Sequence, residues 1–418
     1  KESETWSQVG SDIVGRGAFD RAGTTVSISD DGSIVAIAIN ESNFSSISGE
    51  QVGTVRIYQN INNIWTQLGT DLEGVGWGNR GGNPISLSAN GSVVAIGTPG
   101  IDRNNRVDSG HVRIFENNNG IWTQIGSDII GQPSLEHFGW SVSLSTDGSV
   151  VAIGAPTNSG GSGTTRIYSN NNGIWTQIGS DIDGENYGDE TGYSISLSSD
   201  GSVVAIGAHK NDGNGVDSGH VRVFENNNGT WTQIGSDIDG EGSSNYSGES
   251  ISLSGDGSIL AIGSDGGLNH SSNNVNVRVY QNDNGTWSKI GNNIYGSDQS
   301  TDDYSALSVG LSSDGTSIAI AGKFNVSSDS NDNSISGHVR VFRLADSVSP
   351  SITGPSGSAG SLTSSISIEE NNTAIHTFIA NETVTWSISG GDDQSLFGIN
   401  TSTGALSFNS APDYENPA

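Results

Sequence analysis

Three short phrases recur six times in fixed order along this chain, and they limit its fold more than any other feature. The phrase W-[ST]-[QK]-[VIL]-G begins at Trp6, Trp65, Trp122, Trp175, Trp231 and Trp287. A second, close to SLSxDGSVVAIG, places a turn glycine at Gly32, Gly91, Gly148, Gly201, Gly257 and Gly315. A third, V-R-[IV]-[FY], places an arginine at Arg56, Arg113, Arg166, Arg222, Arg278 and Arg340, with Thr165 in place of valine in the third copy. Self-similarity at a period of about 55 residues marks a chain built of repeated supersecondary units.

Each unit holds four strand-like runs, and no stretch shows the 3.6-residue apolar period of a helix. The first two runs are joined by Asp-Gly (once Asn90-Gly91), a dipeptide expected in the primed hairpin turns. The third ends in N-N-N-G or N-D-N-G, which leads into the fourth, the Trp phrase. Glycine, at 60 of 418 residues, falls largely in these turns. Four antiparallel strands per unit predict an all-β chain whose residues 1–345 form a six-bladed β-propeller. The chain opens on a fourth-strand phrase, Trp6 to Ile13, and the sixth unit ends on a third-strand phrase, His338 to Phe342. The expectation is a ring closed by the N-terminal strand, which leaves no open sheet edge.

The repeat resembles the FG-GAP repeats of integrin-type propellers and a repeat of large bacterial surface proteins. The likeness lies in the A-I-G-A-P segment Ala152 to Pro156 and in the G-x-V-R-V-[FY] strand that follows. The D-x-D-x-D-G calcium loop of integrin-type blades is missing from this sequence, so no metal is carried over to the propeller.

Residues 346–361, with Pro350 and Pro355, read as a linker. Residues 362–418 resemble part of a cadherin-type repeat, a truncated β-sandwich. The matching pieces are I-x-E-N at Ile368 to Asn371, F-x-I with T-G-x-L at Phe397 to Leu406, and D-Y-E at Asp413 to Glu415. The resemblance implies calcium as cofactor of this part alone, bound by Glu370, Asp413 and Glu415. Calcium takes six to eight oxygens, so three side chains make an incomplete site.

The formal charge of −30 opposes nucleic-acid binding, which rests on Lys and Arg displacing counterions. It opposes an anionic membrane surface for the same reason, and no apolar run is long enough to span a bilayer. Cysteine is absent, which removes disulfides, thiolate metal sites and cysteine nucleophiles. No G-x-S-x-G or other nucleophile motif appears, and the expectation is that the chain is not an enzyme. The six arginines are expected to pair with Asp12, Asp71, Asp128, Asp181 and Asp237 of the S-D-I or T-D-L phrases, Asn293 standing in the sixth copy. His111, His220 and His338 precede the V-R strand as parts of the repeat, while His137 and His209 sit in loops.

The segments that vary between blades follow the Trp strand. They offer Phe19, Trp77, Phe138, Trp140, Tyr187, Tyr193 and Tyr246 beside Asp, Asn and Glu. Aromatic faces with carboxylates and amides hold sugars; the competing account wedges these rings between blades. The expected function is a secreted or cell-surface adhesive protein, a propeller head presenting a glycan- or protein-binding face on a cadherin-like stalk. Self-association is also expected of such a surface. The alternatives are a secreted propeller hydrolase acting on glycans or esters, which buried carboxylate pairs at the channel would favour, and a purely structural sheath or fibre component.

Overall fold

Among the described residues of the first part of the chain, six antiparallel sheets follow one another in the computed structural model. The structure describes residues 8–16, 22–39, 53–73, 84–100, 108–132, 135–266, 276–295, 305–326 and 335–344, and, further on, 352–353, 355–356, 365–367, 372–380, 386–388 and 394–410. The chain divides into two units, Lys1–Arg343 and Leu344–Ala418.

Blade four shows the plan. Its strands Ser194–Leu197, Val203–Ala208, His220–Asn227 and Thr230–Gln233 pair in sequence order, and Ile238–Asp239 returns to pair with the third. Leu197 faces Val204, Val204 faces Phe224, and Phe224 faces Gln233 across the sheet. The second strand is buried on both faces, which is why it reads VVAIGA without alternation. First strands of successive blades lie against one another, and so line the axis. The first unit is a β-propeller.

The turns differ from expectation. In Ser29-Asp30-Asp31-Gly32 only Gly32 has positive φ, and its N–H donates to the Ser29 carbonyl. The Asp31 carboxylate accepts from the Ser29 and Ser33 hydroxyls and the Ser33 N–H, which holds its pKa down to about 2. The primed geometry, positive φ at both central residues, sits instead between the third and fourth strands, at Asn62-Asn63 and Asn119-Gly120 for example.

Blades join through the repeated phrases. The indole N–H of each Trp donates to a carbonyl of the preceding fourth strand: Trp122 to Leu68, Trp175 to Ile125, Trp231 to Ile178 and Trp287 to Ile234, at 2.9–3.1 Å. Trp65 donates in the same way to Val9, at 2.8 Å, so the N-terminal segment meets blade one as a fourth strand would. The remaining strand residues of that phrase, Trp6 and Ser7, lie outside the described residues. A second ladder runs near the axis: Leu87, Leu144, Leu197, Leu253 and Leu311 each donate an N–H to a serine hydroxyl of the blade before, from Ser27 through Ser252.

At blade six, the position that holds those serines is Gly310, which has no hydroxyl to offer blade one. The faces of this junction are uncovered: Val26 and Ile28 of blade one are 61% and 60% exposed, Val339 and Val341 of blade six 68% and 53%. Their counterparts elsewhere, such as Ile195, Leu197, Val221 and Val223, are buried. A Cβ at Gly310 meets nothing within 4 Å. We expect Gly310→Ser to stabilise the propeller by about 0.4–1 kcal/mol, from reduced unfolded-chain freedom alone, because nothing stands within reach of a new hydroxyl. Urea unfolding checks this, with Gly310→Ala as control; the gains should be equal, and a larger one from serine would mean that the hydroxyl finds a partner.

The described part of the second unit holds Ile352–Thr353 paired with Ile379–Ala380, and a three-stranded sheet of Ala374–Thr377, Ala405–Phe408 and Phe397–Ile399. Glu370, Asp413 and Glu415 lie outside the described residues.

Candidate functional site

One turn, used three times, builds a cluster at one end of the axis. Immediately before the first strands of blades three, four and five stand His137-Phe138-Gly139-Trp140, Glu190-Thr191-Gly192-Tyr193 and Tyr246-Ser247-Gly248-Glu249. In each, the first residue takes positive φ (52°, 55° and 51°) and its carbonyl accepts from the N–H of the fourth. The glycine must be glycine: at Gly192, φ is +87° and a Cβ would meet the Thr164 carbonyl oxygen at 2.7 Å. Non-glycine residues in this conformation cost about 1–3 kcal/mol each and gather at functional sites. The turn leaves its first and fourth side chains free to vary, here His and Trp, Glu and Tyr, Tyr and Glu.

His209 and Lys210, which follow the second strand of blade four, complete the cluster. The Trp140 and Tyr193 ring centroids are 5.5 Å apart, Tyr193 and His209 3.9 Å, and His209 and Tyr246 6.0 Å. The Tyr193 hydroxyl donates to Glu249 Oε1 at 3.2 Å. Lys210 Nζ pairs with Glu190 Oε1 at 2.6 Å. His209 Nε2 lies 3.6 Å from Glu190 Oε2 and 3.8 Å from Glu249 Oε2, while its Nδ1 is buried with no hydrogen-bond partner.

Burial dominates the electrostatics. It lowers the His209 pKa to about 3, with Lys210 acting in the same direction, so the ring is neutral at physiological pH and its approaches to the carboxylates are not ion pairs. Burial also raises Glu249, helped by the charges of Asp265 and Glu190; the Tyr193 hydrogen bond and Lys210 oppose it, and the result is about 7. The Tyr193 hydroxyl is pushed up by burial and by Glu249. A carboxyl poised near 7 can both give and take a proton at neutral pH.

Of the aromatics singled out in the sequence, Trp140, Tyr193 and Tyr246 come together here. Phe138 is fully buried between blades two and three, edge-on to Tyr168 and beneath Arg166. Tyr187 is exposed and stands against Gly160. Phe19 and Trp77 lie outside the described residues. Glu190, His209, Lys210 and Glu249 were not among the candidates. The expected arginine pairing holds at Arg56–Asp71 and Arg166–Asp181. Arg222 and Arg278 donate instead to the carbonyls of Asp183 and Asp239.

No family model matches this chain, and no curated protein is similar to it. Solved structures similar to it include a periplasmic gluconolactonase of Pseudomonas aeruginosa, at 14% identity over 77% of this chain and 88% of that one, with a TM-score of 0.47. A protein of Bacteroides uniformis named as a 6-phosphogluconolactonase is 12% identical over 65% and 85%, with a TM-score of 0.44. TolB of Acinetobacter baumannii is 14% identical over 66% and 56%, with a TM-score of 0.38. These likenesses concern the fold. Two of the three carry lactonase names, against the expectation, drawn from missing motifs, that the chain is not an enzyme; at 12–14% identity those names describe the neighbours. A propeller takes its reactive groups from separate blades, so no linear motif need announce them. The adhesive role gains no support from these neighbours. No helix among the described residues is long and apolar enough to cross a membrane.

Proposed function

We propose that the mouth formed by blades three to five is the site of a hydrolase acting on sugars or esters. One observation carries this: the buried carboxyl of Glu249, poised at about 7, lies in one cluster with a second carboxylate, Glu190, and a neutral imidazole. The Trp140 and Tyr193 rings supply apolar faces on which a sugar ring stacks. Glu249 in its acid form protonates the leaving oxygen as the C–O bond breaks, and water adds to the carbon left behind, giving a proton back to the Glu249 carboxylate. Lys210 fixes Glu190 at 2.6 Å, so that this carboxylate is held in place beside the imidazole. The protein works outside the cytoplasm in this reading, where its acidity keeps it soluble in salt. The cadherin-like segment keeps Glu370, Asp413 and Glu415 as proposed calcium ligands on the strength of the sequence.

The test is turnover of a panel of chromogenic glycosides, esters and lactones by the full chain and by Glu249→Gln. Glu249→Gln is expected to lower kcat by about 10²–10⁴-fold, the range for losing a positioned general acid or base. The wild-type pH profile should show a limb near 7 that the variant lacks. Full activity in the variant, or no turnover of any class by the wild type, sinks the proposal.

A further inference from the structure

The junctions at blades one, four and five bring together three repeat positions. One residue lies ten after the Trp of the preceding fourth strand, one lies six after the blade's own Trp, and one comes just before the V-R phrase. At blade one these are Arg16, Asp71 and Thr54, and Arg16 Nη1 meets Asp71 Oδ2 at 3.2 Å. At blade five they are Glu241, Asn293 and Asn276. The Asn293 amide donates to both Glu241 oxygens at 3.0 and 2.8 Å, and the Asn276 amide to one at 3.4 Å. A cation meets a carboxylate in the first case, and amide donors meet one in the second.

At blade four the same positions hold Glu185, Asp237 and His220. Two carboxylates and an imidazole now face each other, and one potential ligand atom from each lies within 4.8 Å of the others. His220 is 1% exposed; its Nδ1 faces Asp237 Oδ2 at 3.7 Å, beyond hydrogen-bonding reach, and its Nε2 has no hydrogen-bond partner. The arginine of this blade does not close the gap. Arg56 and Arg166 bond Asp71 and Asp181 at 2.9 and 2.8 Å, whereas Arg222 Nη2 goes to the Asp183 carbonyl at 2.7 Å and its Nη1 stays 3.7 Å from Glu185. Asp237 accepts from Gln233 at 2.7 Å on Oδ1, and its Oδ2 is turned to His220.

We propose that Glu185, His220 and Asp237 bind a divalent transition-metal ion of the zinc type, which supplies the positive charge that Arg16 brings at blade one. One imidazole and two carboxylates suit zinc, whereas calcium prefers an all-oxygen shell. Zinc bonds of about 2.0–2.2 Å require the three groups to draw somewhat closer. The half-exposed side chain of Glu185 can make most of that movement. A fourth position falls to water, and Asp237 also stands on the wall of a cleft of about 390 Å³ with Tyr280 and Trp287. Glu185 comes from the loop leaving blade three, so the ion clamps that loop to blade four.

Zinc titration by calorimetry and thermal melting, on the full chain freed of metal by a chelator, tests this. The wild type should bind one ion and melt higher with it. His220→Asn with Asp237→Asn copies blade five and should fold while binding zinc at least about 100-fold more weakly, beyond the loss typical for a supporting residue. Glu185→Gln, at a half-exposed position, should weaken zinc as well and covers the case in which the double variant misfolds. Wild-type affinity in either folded variant, or no wild-type binding at millimolar zinc, overturns the site.

Discussion

Replacing Phe138 with alanine is expected to cost the propeller about 3–5 kcal/mol, the usual loss on emptying a buried aromatic site. The ring is fully buried. It packs with Val112, Ile114 and Ile129 of blade two against Leu144, Val151 and Ile153 of blade three. Tyr168 meets it edge to face at 6.4 Å and the Arg166 guanidinium lies 5.4 Å from its centroid. Arg166 is itself buried and paired with Glu136 and Asp181, so the cavity would open beside a buried charge that cannot collapse into it. Trp140, two residues on, is half-buried at the mouth, and its replacement by alanine should cost less than about 1 kcal/mol. Urea unfolding of the two variants separates the roles that the sequence left joined. Equal losses would mean that Trp140 is a wedge like Phe138 and is no part of a binding face.

The blades are legible in the sequence because packing repeats with them. Five junctions among the described residues use the same indole-to-carbonyl bond, which is why the Trp phrase recurs with the blades. Single departures are legible too once the role of the position is known: Gly310 interrupts a row of serines and leaves blade six without that rung. The hairpin type was misjudged because the Asp of Asp-Gly serves its side chain, not its backbone, and binds the serines on either side. The site was only partly legible. Trp140, Tyr193 and Tyr246 stand out by residue type, but Glu190 and Glu249 look like ordinary surface acids in a chain of such charge. Their signal is positional: H-F-G-W, E-T-G-Y and Y-S-G-E, set side by side, show two variable places around a fixed glycine. His220 was discounted because histidine recurs at its position. Its chemistry depends on Glu185, which the chain places one blade earlier, and no local pattern joins the two.

Glu249→Gln, expected to be damaging to turnover, is expected to make the fold more stable at alkaline pH. The native carboxyl has its pKa raised from 4.5 to about 7, chiefly by burial. The folded protein therefore binds this proton more tightly than the unfolded chain does. The penalty is absent below about pH 4.5, grows as pH rises, and is complete above about 7. A shift of that size corresponds to about 3 kcal/mol, an upper figure for a side chain that keeps some contact with water. Glutamine carries no charge and keeps an oxygen for the Tyr193 hydroxyl, so the variant escapes the penalty. Melting curves from pH 4 to 8 should show wild type and variant together at the acid end and parting as pH rises, the variant higher. Coincident curves at pH 8 would mean that the wild-type carboxylate is well solvated there, and Glu249 would lose its claim to be a proton donor at neutrality. A residue that weakens its own fold at working pH is hard to account for by packing alone. A general acid at this position accounts for it, because the burial that destabilises the carboxylate is what keeps the proton available for transfer.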